Sequence, residues 1–389
     1  MDFTLTEDQL MLQRMIREFA QEEIKPQSLV LDAKSDPKEC IPWDLVRKAS
    51  KLGLRTAFLP KEYGGGGLNQ ISRMIMIEEM AKGDSGFAYL LFQTSMDYEI
   101  FVTQARKEVV NEFIGKILED DIFLYGVAAT EPDHGSDVHL PYDAPETMKT
   151  FAEKKGDEYI LNGRKLWISN AGIAKQYHIH ARTKRGVPLS EGMSTFVVPV
   201  DTPGFSSGKI ANKLGCRLEV NGELVLDDVH VPARYLIGEE NKALAARDLG
   251  LGIMVNHKSH VLLGLLQAIY DVTLEYARTR IQGGKPIIQH PTIGIMLAEI
   301  WAQIEAGRSL LYQNAWRIDN QQYDPKTGWA TRAYMIGIAG PIVTKAMEIH
   351  GAVGHEKGTF MEKYLRDVYS QLHGCGLRTI ALLKARTLT

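Results

Sequence analysis

Apolar residues recur with helical spacing in the first part of the chain. The clearest run follows the i, i+3, i+4 and i+7 pattern of an amphipathic helix at Leu12, Met15, Ile16 and Phe19. Thr6 and Gln9 stand before this run with the spacing of a capping box, so we expect the helix to begin there. Pro26 is predicted to close it, because proline removes a backbone donor inside a helix. Further helices are predicted over 43–52, 70–80 and 107–118.

The pattern changes between about 122 and 235. Short segments rich in β-branched residues, such as 195–200 and 223–231, are bounded there by Gly, Pro, Asp and Asn, which predicts the strands of a β sandwich or barrel. After Gly238 helical spacing returns near 242–280, 292–318, 327–350 and from 376 onward. We therefore predict an α+β multidomain protein of three parts: an amino-terminal α-helical domain (1–121), a middle β domain (122–238) and a carboxy-terminal α-helical bundle (239–389).

Composition and charge narrow the class of protein. Apolar residues make up 44% of the chain, charged residues 24%, and the net charge is -3, as in an ordinary soluble globular protein without a general attraction for nucleic acid or anionic membrane. The three cysteines, Cys40, Cys216 and Cys375, form no CxxC pair, so neither a disulfide framework nor a metal site is expected. Acidic residues near the amino terminus and the lack of a run of about 18 apolar residues predict a cytoplasmic protein.

Two stretches in the middle region have a pattern typical of a flavin site. The first is the loop 129–137, with the sequence ATEPDHGSD, and the second is the tetrapeptide WISN at 167–170. A Trp-Ile-Ser triplet alone would be more typical of a buried strand. Further segments, however, match one family in order along the chain, at 3–9, 60–65, 201–204, 276–287, 349–351 and 366–367. On these residues the chain resembles the acyl-CoA dehydrogenase family over essentially its whole length, which implies the fold of that family, with a carboxy-terminal four-helix bundle.

The resemblance implies FAD as the cofactor. The residues that it places near the flavin ring and pyrophosphate are Ala129, Thr130, Gly135, Ser136, Trp167 and Ser169. Thr130 and Ser136 would supply hydroxyl and backbone donors, and Trp167 would form an apolar aromatic wall beside the ring. Ser169 would lie at the flavin N5 edge.

A second set of cofactor contacts is implied near the carboxy terminus. In the family, the residues matching Arg280 and Gln282 reach the FAD of a neighbouring subunit, and the segment from Glu348 to Gly351 lies near the adenosine. The cofactor would therefore help to hold an oligomer together, and the resemblance implies a homotetramer. Glu348 stands where the family usually has glutamine, and Ala352 replaces the second of two glycines, so this contact departs from the family pattern.

The family's usual catalytic carboxylate is missing. The family reaction removes a proton from the carbon α to the thioester and a hydride from the β carbon, and it needs a carboxylate base. Most members keep a glutamate in the loop that here reads QLHGCG at 371–376, where it would fall on Cys375 or Gly374. Another branch would place its base at Met254, and 249–270 contains no acid.

Three explanations remain open. The chain could be an inactive or differently employed flavoprotein. A cysteine or histidine could be the base, although the resemblance supplies no cation to lower the thiol pKa of Cys375. His257 and His260 could share a helix face and bind a metal, but no third ligand is visible, and polar contacts near the acyl-CoA entrance are the preferred interpretation. The third explanation is a carboxylate in another position.

Asp97 is the candidate for such a relocated base. It lies in a segment that, by resemblance, belongs to a helix lining the acyl pocket, between the apolar runs 87–92 and 100–102. Apolar neighbours would raise its pKa and make the carboxylate a stronger base. An acid on the helix surface is the alternative.

A base on another wall of the pocket suits a substrate with no α proton. The chain resembles the branch of the family that dehydrogenates alicyclic acyl-CoA thioesters, which favours 1,4-elimination on cyclohex-1-ene-1-carboxyl-CoA, with the γ-proton passing to Asp97. Ser136, Met254, Gly374 and Cys375 are the residues expected to contact the acyl-CoA thioester. An electron-transferring flavoprotein or a similar carrier is the expected acceptor. The alternatives are 1,2-dehydrogenation of cyclohexanecarboxyl-CoA or another acyl-CoA, and a non-catalytic acyl-CoA or flavin-binding protein.

Overall fold

A computed structural model describes residues 4–139, 147–374 and 377–387. Its elements follow the predicted order of helices, strands and helices. The amino-terminal helices are α1 (Glu7–Phe19), α2 (Lys25–Asp32), α3 (Trp43–Lys51), α4 (Gln70–Gly83), α5 (Ser85–Gln104) and α6 (Lys107–Glu119). The capping box that begins α1 is confirmed, since Gln9 N donates to Thr6 Oγ1 over 3.3 Å and Thr6 N donates to Gln9 Oε1 over 3.0 Å.

The prediction that Pro26 ends the first helix is wrong. A π-helical turn at Ala20–Ile24 follows α1, and α2 then continues through Pro26 to Asp32. Proline is tolerated in the first turn of a helix, because the donor that it lacks has no partner there within the helix. The chain therefore changes its helical register instead of stopping.

The middle region forms one hydrogen-bonded sheet of eight strands, in the order β6-β7-β3-β2-β4-β5-β8, with β1 parallel to β4. The strands are β1 (Tyr125–Ala128), β2 (Phe151–Lys155), β3 (Glu158–Ser169), β4 (Gln176–Arg182), β5 (Met193–Pro199), β6 (Phe205–Ile210), β7 (Asn221–Pro232) and β8 (Leu236–Ile237). The long antiparallel pair of β3 and β7 dominates the sheet. β1 brings the chain from the amino-terminal helices into the sheet, and α5 packs beside it.

Helices return after the sheet. They are α7 (Ala243–Thr279), α8 (Pro291–Asp319), α9 (Pro325–His350), α10 (Phe360–Gln371) and α11 (Arg378–Thr387). A short hairpin of β9 (Ile281–Gln282) and β10 (Lys285–Pro286) joins α7 to α8. Within the described ranges, no helix has the length and apolar composition needed to span a membrane.

Helix α4 connects the two main hydrophobic cores. Met76 and Met80 pack into the core shared by the amino-terminal helices and the sheet, whereas Met74 packs into the core of the carboxy-terminal bundle. Gly264 of α7 allows the close approach to α4, because a Cβ there would lie 2.4 Å from the carbonyl oxygen of Glu78. Helix α4 is thus held by buried packing on both sides, against the amino-terminal core and against α7 of the carboxy-terminal bundle.

Candidate active site

A buried ion pair holds the loop that follows β1. Glu131 Oε1 accepts a hydrogen bond from Lys165 Nζ at 2.8 Å and from the backbone of Thr150 at 3.0 Å, and Oε2 accepts one from the backbone of Lys149 at 2.7 Å. Lys165 Nζ also donates to the carbonyl of Ala129 over 3.2 Å. Burial opposes ionisation of Glu131, but Lys165 and these donors outweigh it, so its pKa lies below the ordinary value. The backbone from 129 to 131 is therefore fixed on β3.

The tip of the same loop is closed by Asp137. Its Oδ2 lies 2.5 Å from Nδ1 of His134, and its Oδ1 accepts a hydrogen bond from the backbone of Gly135 at 2.5 Å. Thr130 is half-buried, and its carbonyl accepts from the backbone of Leu166 over 2.9 Å. Ser136 is left exposed at the tip. The sequence indicated this loop, but not the contacts that shape it.

Trp167 is turned out of the sheet. The β3–β7 register shifts between Lys165 and Ile168, so one extra residue bulges from β3, and Trp167 has a φ of 61°. Its side chain is 58% exposed, although it is the largest apolar side chain in that strand. An exposed indole beside a loop with a fixed backbone fits a planar aromatic ligand such as a flavin.

Asn170 ties this strand end to α5. Its Nδ2 donates to the carbonyl of Tyr125 over 2.7 Å and to Thr94 Oγ1 over 3.2 Å. Next to it, Ser169 Oγ donates to Glu219 over 3.0 Å and accepts from Asn221 Nδ2 over 3.3 Å. The end of the strand that carries Trp167 is thereby joined to α5 by one hydrogen bond, at Thr94, and to β1 by the other, at Tyr125.

Asp97 lies in the middle of α5 and is fully buried. The alternative of an acid on the helix surface is therefore wrong. Gln93, one turn earlier on the same helix, donates from Nε2 to Asp97 Oδ1 over 2.9 Å, whereas Oδ2 has no hydrogen-bond partner among the described residues. Burial raises the pKa of Asp97 well above its ordinary value, and the hydrogen bond from Gln93 and the charge of Lys258 only partly oppose this.

Tyr125, on β1, provides a second polar group near Asp97. Its hydroxyl is buried without a described partner, and burial together with the charge of Asp97 raises its pKa. Buried polar atoms are nearly always hydrogen-bonded, so two such atoms close together indicate a place for a water molecule or a ligand. The sequence did not indicate Tyr125, because it lies in an apolar strand far from α5 along the chain.

The loop that would carry the family's usual base follows α10. Gly374 is half-buried, and a Cβ on it would lie 3.9 Å from the hydroxyl of Tyr89 on α5; Cys375 lies outside the described residues. Arg332 Nη2 donates to the carbonyls of Gln371 and Gly374 over 3.0 Å each, so a cation does lie beside this loop. The sequence did not reveal it, because 42 residues separate Arg332 from Gly374.

Three further candidates lie on α7. Met254 is half-buried against the apolar core. His257 Nε2 donates to Gln70 Oε1 over 2.9 Å, and the ring packs near Phe58. Burial lowers the pKa of His257 well below its ordinary value and the pKa of the neighbouring His260 to about 3. Both histidines are thus neutral core residues, and in the described part of the chain no group of three His, Cys, Asp or Glu side chains could hold a metal.

The candidates near the carboxy terminus form a separate group. Arg280 and Gln282 are exposed at and beside the β9–β10 hairpin, and Glu348 and Gly351 are exposed at the end of α9. The two helix ends meet where His350 stacks on Tyr276, with ring centroids 4.4 Å apart. No hydrogen bond between described residues joins this group to the loop at 129–137.

Comparison with known proteins identifies the family. Three family models match consecutive parts of the chain, namely the acyl-CoA dehydrogenase N-terminal domain at 6–121, the middle domain at 126–229 and the C-terminal domain at 259–382. A short-chain specific acyl-CoA dehydrogenase from Clostridium acetobutylicum is 32% identical over 377 residues, which cover 94% of each chain. A cyclohex-1-ene-1-carbonyl-CoA dehydrogenase from Syntrophus aciditrophicus is 30% identical over 364 residues, which cover 93% of this chain and 85% of that protein.

The fold agrees with a solved member of the same family. The structure of butyryl-CoA dehydrogenase from Megasphaera elsdenii superposes with a TM-score of 0.92 at 27% identity, over 100% of this chain and 99% of that one. The predicted fold of helical domain, β domain and helical bundle is thereby confirmed. The chain belongs to the acyl-CoA dehydrogenase family and is an FAD-dependent oxidoreductase that acts on acyl-CoA thioesters.

Proposed function

We propose that this protein dehydrogenates a cyclic, unsaturated acyl-CoA, cyclohex-1-ene-1-carboxyl-CoA, to cyclohexa-1,5-diene-1-carboxyl-CoA. The observation that carries the proposal is the buried Asp97 carboxylate, whose Oδ2 has no hydrogen-bond donor among the residues that the structure describes. The loop up to Gly374 offers no acid in its place. The similarity to a cyclohex-1-ene-1-carbonyl-CoA dehydrogenase supports the same substrate class.

The substrate explains why the base would have moved. In cyclohex-1-ene-1-carboxyl-CoA the α carbon C1 is part of a double bond and has no proton, whereas the γ hydrogens on C3 are acidic, because their removal forms an extended dienolate. The C3–H bond breaks, the proton passes to Asp97 Oδ2, and its electron pair forms the C2–C3 double bond. The C1–C2 pair shifts to form the C1–C6 double bond as hydride leaves C6. FAD, when bound, supplies the acceptor for that hydride.

The protein's own residues orient the proton acceptor. Gln93 engages Oδ1, so the other oxygen of Asp97 is the one presented to a ligand. Burial in apolar surroundings makes the ionised carboxylate a strong base, because its charge is poorly solvated there. A backbone N–H near Gly374 or Cys375 is assigned to the thioester oxygen, with Met254 and Ser136 as further substrate contacts.

The residues proposed to hold FAD fall on two subunits. Ala129, Thr130, Gly135, Ser136, Trp167 and Ser169 would contact the flavin end within one chain. Arg280, Gln282, Glu348 and Gly351, which are exposed, would contact the cofactor of a neighbouring chain in a homotetramer. An electron-transferring flavoprotein is proposed to accept the electrons.

The role of Trp167 can be tested by truncation. Trp167→Ala is expected to weaken FAD binding by tenfold or more, since an aromatic contact and much apolar area would be lost, while the unfolding of the apoprotein should change little, because the indole is 58% exposed. FAD titration of the apoprotein measures the first effect and thermal unfolding the second. Leu52→Ala, an exposed apolar truncation on another domain, is the control. Unchanged FAD affinity in Trp167→Ala would remove Trp167 from the site.

The substrate is tested by anaerobic incubation of the holoenzyme with three thioesters. Bleaching of the flavin absorbance with cyclohex-1-ene-1-carboxyl-CoA, and recovery of the 1,5-diene, is the expected result. Bleaching only with cyclohexanecarboxyl-CoA or butyryl-CoA would instead assign Asp97 to an α-proton or leave it without a role. Binding of all three without bleaching would indicate a protein that has kept the fold and lost the reaction.

A further inference from the structure

A buried lysine lies on the helix that faces Asp97. Lys258, on α7, is 8% exposed, and its Nζ stands 4.8 Å from the centre of the Tyr89 ring on α5. It is one helical turn after Met254, the position at which another branch of the family would keep its base. The mechanism above does not use this cation, and the motifs in the sequence did not mark it.

Tyr89, Gln93 and Asp97 form a row along α5. Their spacing of four residues places them on one face of the helix, over roughly 12 Å from the first Cα to the last. Lys258 lies over the ring at one end of the row, and Gln93 hydrogen-bonds Asp97 at the other. The described side chains of Lys258 and Asp97 form no direct ion pair, and the positive charge of Lys258 partly opposes the rise that burial causes in the pKa of Asp97.

Within the described ranges, Lys258 is the one cation among the causes that shift the pKa of Asp97. Tyr98 on α5 and Tyr125 on β1 are buried, and burial raises the pKa of each, so both stay neutral. Arg55 lies on the far side of Tyr98, to whose hydroxyl Nη1 donates over 2.6 Å. On β4, burial lowers the pKa of His178 to about 3, so the imidazole that packs against Tyr125 is neutral as well.

We propose that Lys258 is a positioning residue that favours the anionic, proton-accepting form of the buried Asp97 carboxylate while leaving Oδ2 free for the substrate. This inference rests on the proposed role of Asp97. An ammonium in direct contact would occupy the oxygen that must accept the proton and would weaken it as a base. At a greater distance in a poorly polarisable interior, the same charge still favours the anion. Tyr89 holds the ammonium at that distance through its ring face.

The direction of the pH effect follows from the charge. Burial favours the neutral form of Asp97 and raises its pKa, whereas the positive charge of Lys258 lowers that pKa. Loss of the cation therefore raises the pKa of Asp97 further. A base must be ionised to accept a proton, so kcat/KM rises as the pH passes upward through that pKa. Loss of Lys258 therefore moves the acid limb of the profile, the range in which kcat/KM rises with pH, to higher pH.

The test compares pH profiles of kcat/KM for the holoenzyme with cyclohex-1-ene-1-carboxyl-CoA. Lys258→Met, which keeps the apolar stem, is expected to move the acid limb upward by about one to two pH units, and Lys258→Arg to restore most of the wild-type profile. Lys258→Gln is measured alongside in case the methionine variant does not fold. If the folded Lys258→Met or Lys258→Gln variant loses activity at the same acidic pH as the wild type, the proposal is overturned.

A second readout needs no turnover. The infrared carbonyl band of a protonated carboxyl, assigned to Asp97 by its loss in Asp97→Asn, should persist to higher pH in Lys258→Met than in the wild type. An identical titration in both proteins contradicts the proposal. The Asp97→Asn variant also separates the two hypotheses: if it keeps full turnover, the proposed function fails, whereas an inactive Asp97→Asn with an unchanged profile in the Lys258 variants removes only the role of Lys258.

Discussion

Asp97→Asn is expected to lower turnover of the cyclohexene thioester by about 10²–10⁴-fold, the range that a positioned general base contributes. The amide keeps the size of the side chain and can still contact Gln93, but it cannot accept the γ-proton. FAD content should remain at the wild-type level, because Asp97 is not one of the proposed flavin contacts. Single-turnover flavin reduction under anaerobic conditions measures the effect on the chemical step.

The same substitution should not destabilise the fold at neutral pH. The folded-state pKa of Asp97 is raised by burial, so the neutral acid contributes stability that is fully present below the unfolded pKa and is lost as the pH rises through the folded pKa. Asparagine stays neutral at every pH and avoids this loss. The melting temperature of Asp97→Asn relative to the wild type should therefore increase from acid to neutral pH.

Glu99 provides the matched control. It lies two residues further along α5 but pairs with Arg73, whose two nitrogens donate to its oxygens at 2.6 and 2.7 Å. Glu99→Gln also replaces an acid by its amide on the same helix, and it should retain the wild-type rate of flavin reduction. Equal losses in Asp97→Asn and Glu99→Gln would point to a general disturbance of α5 and against a specific base.

Lys363→Met is expected to reduce the free energy of unfolding by about 3–5 kcal/mol, the usual effect of removing one partner from a buried ion pair. Lys363 Nζ lies 2.8 Å from Asp84 Oδ2 and 2.5 Å from Asp367 Oδ2, and all three side chains are fully buried. Without the ammonium, two carboxylates would remain in the interior without a cation. Chemical denaturation followed by circular dichroism measures the loss.

The position of this cluster explains why the effect should be large. Asp84 caps the amino terminus of α5 by accepting from the backbone of Phe87 over 2.9 Å, and Asp367 on α10 accepts from the backbone of Cys216 over 2.6 Å. One charge network thus joins the helix carrying Asp97, a loop of the β region and the carboxy-terminal bundle. Lys149→Met, at an ion pair with Asp133 in which both side chains are about 70% exposed, is the control and should leave the free energy of unfolding nearly unchanged, because an exposed ion pair is well screened by water. A similar small change in Lys363→Met would show that the cluster is not a structural junction.

The periodicity of the chain predicted most helices closely, because helical amphipathicity and capping are local properties. The helix at Trp43–Lys51 and the one at Lys107–Glu119 agree with the predicted ranges to within one residue. The first helix was predicted incorrectly at Pro26, since a single π-helical turn allowed the chain to continue. Such a turn has no clear signal in the pattern of apolar residues.

The candidate site was only partly visible in the sequence. The WISN tetrapeptide and the 129–137 loop could be recognised because their residues are consecutive, and Asp97 stood out as an acid between apolar runs. Tyr125, Lys258 and Arg332 could not be found in this way. Each lies next to α5 or Gly374 but belongs to a distant element of the fold.

The amino-acid sequence by itself determined the order of helices and strands, the family, and the absence of an acid from both usual positions of the base, since all of these depend on residue identity and local spacing. Only the tertiary structure decided that Asp97 is buried, that its Oδ2 has no hydrogen-bond partner among the described residues, and that a buried lysine on another helix lies over the ring of Tyr89. The physical reason is that burial and long-range charge depend on which surfaces pack together. A carboxylate in the same stretch of sequence would be an ordinary surface acid if α5 were turned to solvent.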